Sequence, residues 1–185
     1  MQEVDGTVII EDLSRRLIDL PKIARRSMLG HKIGQYNGCH VVDINFNGEA
    51  YVTLMDGSEV LYFVEHVPVK KELLSFGRQV LVWRNQGAPE AAGFAQHVFF
   101  DMLLPRYKAL ISDVMQTRNG QSFWQYALQH ALRKGHHCYF LDNRVGQVLH
   151  PLLSVQDVVK FKYDIWGKTK DHQNTFAVIS TKDLM

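Results

Sequence analysis

The chain has 185 residues, a formal net charge of +2 and 46% hydrophobic residues, a composition typical of a globular domain with a sizeable core. The near-balanced charge does not require nucleic acid as a partner, and two cysteines favour a reducing compartment over a disulfide scaffold. Apolar runs such as Val98–Leu104 are interrupted by Asp101 and are too short to span a bilayer. The first residues, MQEVDG, have no signal-peptide pattern, so we expect a cytoplasmic protein.

The N-terminal segment is predicted to contain a short strand at Thr7–Ile10 and then two helical pieces. Pro21 divides these pieces because proline breaks a helix interior, and Asp12 is the expected N-cap of the first. Basic side chains crowd this segment, and we interpret them as a solvated helix face in preference to a phosphate-binding or partner-binding patch. Contact with nucleic acid is the alternative, and it would use Arg15, Arg16, Arg25 and Arg26.

From His40 to Arg84 the apolar residues recur at every second position, which predicts β-strands. Asp56-Gly57 predicts a hairpin turn, because glycine readily adopts the positive φ that such turns need. A further turn is predicted at Ser75–Gly77. The predicted strands form an antiparallel meander and are Val41–Phe46, Glu49–Leu54, Glu59–Val64 and Gln79–Trp83.

A helix is predicted after the loop at residues 85–89, since Pro89 suits a first helical position and Pro105 can end the helix. The next stretch, from Leu104 to Asp142, is predicted to begin with a strand-like run that includes a strand at Ala109–Ser112. A long amphipathic helix and a second strand are predicted to follow. The helix runs from Asn119-Gly120, with Asn119 as a possible cap, to Lys134-Gly135. The other predicted elements are strands at Cys138–Leu141, Val145–Leu149 and Thr175–Ser180 and a helical turn at Val155–Val159.

These elements predict one α/β (α+β) domain with a single mixed sheet and helices on both faces. The antiparallel meander precedes a strand–helix–strand crossover, which should be right-handed. An N-terminal helical and basic arm, residues 1–38, is expected to pack on a core formed by residues 39–185.

The succession of meander, helix, strand, helix and two strands resembles the acetyltransferase-like fold of the GCN5-related N-acetyltransferases. In that family two strands splay apart around acetyl-CoA, and its pyrophosphate rests on a loop of pattern Gln/Arg-x-x-Gly-x-Gly/Ala at a helix N-terminus. The resemblance implies that Arg84, Gln86, Gly87 and Ala88 would bind the cofactor. Pro89 departs from the pattern, because proline stands where Gly or Ala is expected and has no amide to donate.

A second set of residues resembles acetyltransferase-like proteins of bacteriophages and related mobile elements, which often keep the fold with a poor cofactor loop. The resemblance implies a non-catalytic protein without a cofactor, which acts by binding a host or virion protein in the host cytoplasm or the virion and not at a membrane. The alternative is an acyl-CoA-dependent N-acetyltransferase that uses acetyl-CoA to modify an amine of a protein or small molecule. The residues of this motif are Ser112, Asp113, Gln116, Thr117, Gly120 and Trp124.

Under the enzymatic alternative the family resemblance implies a carboxylate base and a tyrosine acid. Glu65, at the end of a predicted strand, is the candidate base, with His66 beside it, and Tyr126 and Tyr139 are the candidate acids. A structural role for each of these side chains is the preferred interpretation, with Glu65 closing a strand at the surface and the tyrosines filling the core.

No metal site is predicted. Cys39-His40 and His136-His137-Cys138 contain zinc-ligand side chains, but neighbours in a strand point to opposite faces and cannot converge on one ion. Asp113 is expected to accept hydrogen bonds from the amides of the turn at Met115–Gly120. Trp166 and the lysines around it are interpreted as an exposed loop in preference to a nucleic-acid contact.

Overall fold

The computed structural model describes residues 2–4, 7–9, 17–46, 48–71, 74–113, 118–144, 146–166 and 174–185. It shows a mixed α/β fold in which most strand pairs are antiparallel. Within these ranges no helix is long and apolar enough to cross a membrane. The chain divides into two compact units, the first formed by Met1–Val67 and Gln79–Phe99 and the second by Pro68–Arg78 and Phe100–Met185.

Helix α1 (Leu20–Leu29) follows directly on three short antiparallel strands. The Asp19 carboxylate caps it by accepting a hydrogen bond from the Lys22 amide at 2.8 Å, and Pro21 lies in its first turn, where no amide donor is needed. The first of the two predicted helical pieces is contradicted at Leu17–Asp19, which form a strand, and Pro21 begins a helix instead of dividing two. Asp12 and the rest of that piece lie outside the described residues. The strands are β1 (Gln2–Val4), β2 (Thr7–Ile9) and β3 (Leu17–Asp19).

The first unit is built on a sheet of consecutive strands, in which the hairpin at Asp56-Gly57 is confirmed by a φ of +54° at Gly57. One strand was missed here and one predicted turn is wrong. The first strand of the sheet was not predicted, and the turn expected at Ser75–Gly77 is instead part of a strand. In spatial order the strands are β4 (His31–Tyr36), β5 (Cys39–Phe46), β6 (Glu49–Asp56), β7 (Glu59–Lys71) and β8 (Leu74–Arg84), and β7 and β8 have residues in both units.

Helix α1 packs on this sheet through Ile23, and a short chain of buried hydroxyl groups accompanies the apolar contact. Ser27 Oγ donates to the Ile23 carbonyl at 2.8 Å, and Thr53 Oγ1 donates to Ser27 Oγ at 3.1 Å. These bonds satisfy polar groups that would otherwise be costly to bury. The core around them contains Ile23, Val42, Ile44, Tyr51, Met55, Val60, Phe63 and Trp83.

Between β8 and β9 the chain is helical in four short pieces. Pro89 occupies a first-turn position, as predicted. Pro105, however, begins a helical turn instead of ending a helix, so the strand-like run expected from Leu104 is wrong. The pieces are a 3₁₀ turn (Pro89–Ala91), α2 (Phe94–Gln96), a π-helical stretch (His97–Leu103) and α3 (Leu104–Tyr107).

In the second unit the last strand of the chain lies between the two strands of the predicted crossover. It is antiparallel to both of them, which makes them parallel to each other. The first crossover strand also pairs in parallel with β8, through Gly77 and Leu110. The strands are β9 (Ala109–Ile111), β10 (His137–Asp142), β11 (Val148–Leu152) and β12 (Thr175–Ser180), in the spatial order β11-β10-β12-β9-β8.

Helices α4 (Arg118–Arg133) and α5 (Val155–Trp166) cover one face of these strands. Cys138 Sγ lies 3.7 Å from the Leu128 carbonyl oxygen of α4, and on the same face the Phe140 ring is 5.5 Å from Phe161 of α5. The opposite face carries a second apolar core. It contains Phe76, Ala109, Ile111, Tyr139, Leu141, Phe176 and Val178.

The ends of these helices agree only in part with the prediction. Gly135 follows α4 with a φ of +77°, the expected left-handed stop. Asn119 lies inside the first turn of α4 and so is not its cap. Helix α5 continues to Trp166, well beyond the single turn predicted at Val155–Val159. Its start is a reciprocal capping arrangement in which the Asp157 carboxylate accepts from the Ser154 amide at 2.9 Å.

Gly77 lies in close contact with an aromatic ring in the second unit. A Cβ atom at this position would overlap the ring of Tyr107, whereas a Cβ at Gly34 in β4 would meet no atom within 4 Å. Neither glycine has a positive φ. The two positions therefore differ in available space and not in backbone geometry.

We expect Gly77→Ala to lower the free energy of unfolding by about 1–3 kcal/mol, because the added methyl group must displace a ring in a packed core. Gly34→Ala is the matched control, and it should change stability by less than about 1 kcal/mol. Urea unfolding of both variants measures the difference. Equal stability of the two variants would show that Tyr107 moves aside freely.

Candidate functional site

The loop that the resemblance assigns to the cofactor is closed on itself by Asn85. Its side-chain oxygen accepts a hydrogen bond from the Gly87 amide at 2.9 Å, and its carbonyl accepts one from the Ala88 amide at 3.3 Å. The Asn85 amide donates to the Leu61 carbonyl at 2.9 Å, and Asn85 Nδ2 donates to Glu59 Oε1 at 3.0 Å. Asn85 thus anchors the loop to β7 and also engages two of the loop's backbone amides, those of Gly87 and Ala88.

The turn between β4 and β5 holds the next part of the loop. Tyr36 donates its hydroxyl hydrogen to the Ala92 carbonyl at 2.9 Å, and Asn37 Nδ2 donates to the Glu90 carbonyl at 2.9 Å. Asn37 has a φ of +48°, a conformation that asparagine tolerates better than most residues. Two side chains of one turn therefore bind the backbone of the short 3₁₀ helix from outside.

Below the 3₁₀ turn lies a group of aromatic side chains. The ring of Phe94 is fully buried and lies 5.0 Å from Tyr36 and 5.2 Å from Tyr62, both edge to face. His97 stacks on Tyr36 with a centroid separation of 5.2 Å. Burial raises the pKa of Tyr62, and the positive charge of Arg84 acts in the opposite direction. These contacts between aromatic rings stabilise the segment after the loop by more than the burial of apolar surface alone would provide.

The four residues predicted to bind the cofactor lie along one short loop but differ in exposure. Gln86 and Gly87 are exposed, and Ala88 is buried. Arg84 is half-buried, and its Nε atom has no hydrogen-bond partner among the residues that the structure describes. The loop can therefore offer a guanidinium group to an anion, but the amides of Gly87 and Ala88 are already engaged.

The candidate catalytic residues have different environments. Glu65 is a half-buried residue in the middle of β7 opposite Tyr51, so the expectation that it closes a strand at the surface is wrong. Tyr126 is 41% exposed on α4, where its ring stacks on His130. Tyr139 is 2% exposed, and its hydroxyl group donates to Asp183 Oδ1 at 2.7 Å. The exposure of Tyr126 contradicts the expectation that both tyrosines fill the core.

The hydroxyl group of Tyr139 is a structural anchor for the C-terminal residues. It also accepts a hydrogen bond from the Leu184 amide at 3.0 Å. Burial raises the pKa of Tyr139, and the hydrogen bond from Tyr139 is the main reason why the pKa of Asp183 is lowered. A phenol held in this way is a poor proton donor for a thiolate, because both of its bonds are to the protein itself.

Some residues of the motif that resembles bacteriophage proteins have structural roles. Ser112 is fully buried, its amide donates to the Ala177 carbonyl at 2.9 Å, and its Oγ accepts from the Ala177 amide at 3.0 Å. Asp113 lies 3.8 Å from Arg78. Trp124 is buried on α4, and Gly120 is in the first turn of that helix. Gln116 and Thr117 lie outside the described residues, as does the first half of the turn proposed for Asp113, and the second half of that turn is the start of α4.

Among the described residues, no group of three or more histidine, cysteine, aspartate or glutamate side chains could hold a metal ion. Cys39 and Cys138 are both buried free thiols. Burial raises the pKa of the Cys39 thiol, with Asp56 and Glu90 adding to the effect, and burial raises the pKa of Cys138 to about 12. Both thiols are therefore protonated at neutral pH and are poor ligands.

Sequence reasoning missed Tyr36, Asn37 and Asn85, which determine the loop geometry. Asn85 followed two residues later by Gly87 is the pattern of an Asx turn, in which the side chain accepts the amide two residues on. That signal was present in the sequence. Nothing in the sequence indicated that a turn about fifty residues earlier would bind the loop backbone.

The chain has no match among protein-family models or among the curated proteins with which it was compared. The geometry of the loop and of the surfaces around it is therefore the basis for any statement about function.

We expect Tyr139→Phe to lower the free energy of unfolding at neutral pH by about 1 kcal/mol, the typical net value of a lost hydrogen bond. A carboxylate with a lowered pKa contributes stability above its ordinary pKa and loses it as the pH falls through the lowered pKa. The difference between the variant and the unmodified protein should therefore narrow in acid, below the ordinary aspartate pKa of about 4.

Chemical unfolding at a series of pH values measures this effect. Tyr163→Phe is the matched control, because Tyr163 is 77% exposed and its hydroxyl group should contribute almost nothing. A Tyr139→Phe variant as stable as the control at neutral pH would contradict the anchoring role.

Proposed function

We propose that the protein is a non-catalytic, acetyltransferase-like binding protein of bacteriophage or mobile-element type, and that it acts by contacting a protein partner. The observation that carries this proposal is the closure of the loop by Asn85. A pyrophosphate-binding loop turns its amides toward the ligand. Here the amides of Gly87 and Ala88 donate to Asn85 instead, and Pro89 has no amide to donate.

The acetyltransferase-like part of the proposal is supported by the order of elements. An antiparallel set of strands leads through a helical segment to β9, and β9 pairs in parallel with β8. Helix α4 and strand β10 follow. This is the succession on which the resemblance was based.

The candidate acid Tyr139 also supports the non-catalytic proposal. A general acid must be free to reach the reacting group. The hydroxyl group of Tyr139 is bonded to Asp183 and Leu184, and breaking these bonds would release the C-terminal residues.

An N-acetyltransferase is the second candidate, and one observation favours it. The half-buried guanidinium group of Arg84 has a buried Nε without a hydrogen-bond partner among the described residues. Such a group would gain from an anionic ligand. The first residue of the cofactor loop pattern therefore keeps the chemistry that a phosphate would require.

The test is calorimetric titration of acetyl-CoA. We expect weak or no binding to the unmodified protein. The double variant Asn85→Ala/Pro89→Gly should bind more tightly by about tenfold to a hundredfold for each amide donor that it restores, because one charge-assisted hydrogen bond contributes about 1.5–3 kcal/mol. Lys162→Ala is the control, since Lys162 is exposed on α5 and is not among the residues predicted to bind the cofactor.

Low-micromolar binding of acetyl-CoA by the unmodified protein would overturn the non-catalytic proposal in favour of the acetyltransferase. A double variant that folds normally and binds no better than the Lys162→Ala control would show that the loop is not a cofactor loop of any kind.

A further inference from the structure

Part of the first unit combines exposed apolar side chains with a local excess of cationic residues in the sequence. Residues 20–42 contain no aspartate or glutamate. The side chains of Met28, Leu29 and Ile33 are 58%, 89% and 49% exposed, and three cationic residues beside them are also exposed. We call this the α1–β4 surface, and it consists of Lys22, Arg25, Met28, Leu29, Lys32 and Ile33.

Helix α1 leads directly into strand β4 through one tightly packed residue, so the residues of this surface belong to two elements that are adjacent in the chain. The Gly30 amide donates to the Ser27 carbonyl at 3.1 Å. A Cβ atom at Gly30 would lie 2.6 Å from Val42 Cγ1, so a larger residue would require the neighbouring side chain to shift. The position of Leu29 is thereby tied to the start of β4 and to the sheet below it.

Strand β4 is an edge strand. Its pairing partner is β5, and no other described strand pairs with it. Residues 31–35 are all exposed. Such an edge presents unpaired backbone N–H and C=O groups to which an extended peptide can add. The register shifts between Lys32 and Gly34, so the bulge at Ile33 restricts the added strand to a short segment.

We propose that the α1–β4 surface binds a short, extended and acidic segment of a partner protein, which adds as a strand beside β4. Its apolar residues cover Leu29 and Ile33, and its carboxylates face the cations Arg25 and Lys32. This inference names the partner chemistry of the proposed function and rests on it. The inference rests on one short stretch of the chain, which combines exposed aliphatic residues, exposed cations and an edge strand.

Other occupants fit the surface less well. A second copy of the chain would bring like charges together, which costs affinity. Nucleic acid would use the cations but would leave three exposed aliphatic side chains without apolar contacts, and stacking aromatic residues are absent from the surface. A bilayer would cover the aliphatic side chains but would leave the backbone groups of the β4 edge without partners.

The test uses a blocked, fluorescently labelled octapeptide in which glutamate alternates with valine, and the same peptide with lysine in place of glutamate. We expect the acidic peptide to raise the fluorescence anisotropy when the full-length protein is added, with weaker binding at high salt. The lysine peptide should not bind. Amide hydrogen exchange within His31–Tyr36 should slow when the acidic peptide is bound, since the edge amides gain partners.

Two variants probe the surface itself. Arg25→Glu/Lys32→Glu and Leu29→Asp should each weaken binding of the acidic peptide by about tenfold or more. The matched controls are Lys160→Glu/Lys162→Glu and Val159→Asp on α5, where the residues are also exposed. These controls should leave the affinity unchanged, and circular dichroism checks that every variant is folded.

The inference is wrong if the acidic peptide does not bind, if the control variants weaken binding as much as the surface variants, or if hydrogen exchange in β4 does not change. Co-sedimentation with phosphatidylserine vesicles, or binding of a DNA duplex in place of the peptide, would also overturn it. Failure of the peptide to bind, with no binding of acetyl-CoA, rejects this surface and leaves the non-catalytic proposal standing. Tight acetyl-CoA binding rejects that proposal whatever the peptide does.

Discussion

The second unit depends on the insertion of β12 between β9 and β10. Strand β9 has only three residues, too few to hold a sheet position without strong pairing on its edge. Ser112 extends this pairing beyond the strand, because both its amide and its hydroxyl oxygen bond to the backbone of Ala177. The apolar cores on both faces need β12 in place, since Phe176 and Val178 lie on one face and Ala177 and Ile179 on the other. The unit therefore cannot complete its core until the last residues of the chain are in place, a non-local requirement that is expected to slow folding.

Local order explains which parts of the fold could be predicted. The α4 stripe, the Asp56-Gly57 hairpin and the position of Pro89 at the start of a helical turn all follow from residues that lie within a few positions of one another. The failures lie where a local signal is ambiguous. Pro21 and Pro105 each fit either the end of one helix or the first turn of the next, and the capping group at Asp19 decided the first case. Strand β4 has no alternating pattern because all five of its first residues are exposed. The place of β12 in the sheet has no local signal at all.

The candidate site shows the same division. The Gly87 and Pro89 positions predicted a degenerate cofactor loop, and the Asx pattern that starts at Asn85 was present in the sequence. The contacts that fix the loop from outside come from Tyr36 and Asn37, which no spacing rule connects with it. For Tyr139 the residue type suggested an acid, yet its partner Asp183 lies more than forty residues away. Residue identity indicated the chemistry that was available, and tertiary contacts determined which groups remained free to perform it.

Strand β4 connects the two proposals physically. Its first residues form part of the α1–β4 surface, and its last residue, Tyr36, bonds to the Ala92 carbonyl and stacks on His97. A peptide that pairs with the β4 edge would restrict the motion of the strand along its length. Because Tyr36 and the neighbouring Asn37 support the loop after β8, the same restriction would hold that loop in its closed, internally hydrogen-bonded geometry. Pairing at the β4 edge and the closed geometry of the loop would then favour the same conformation of β4.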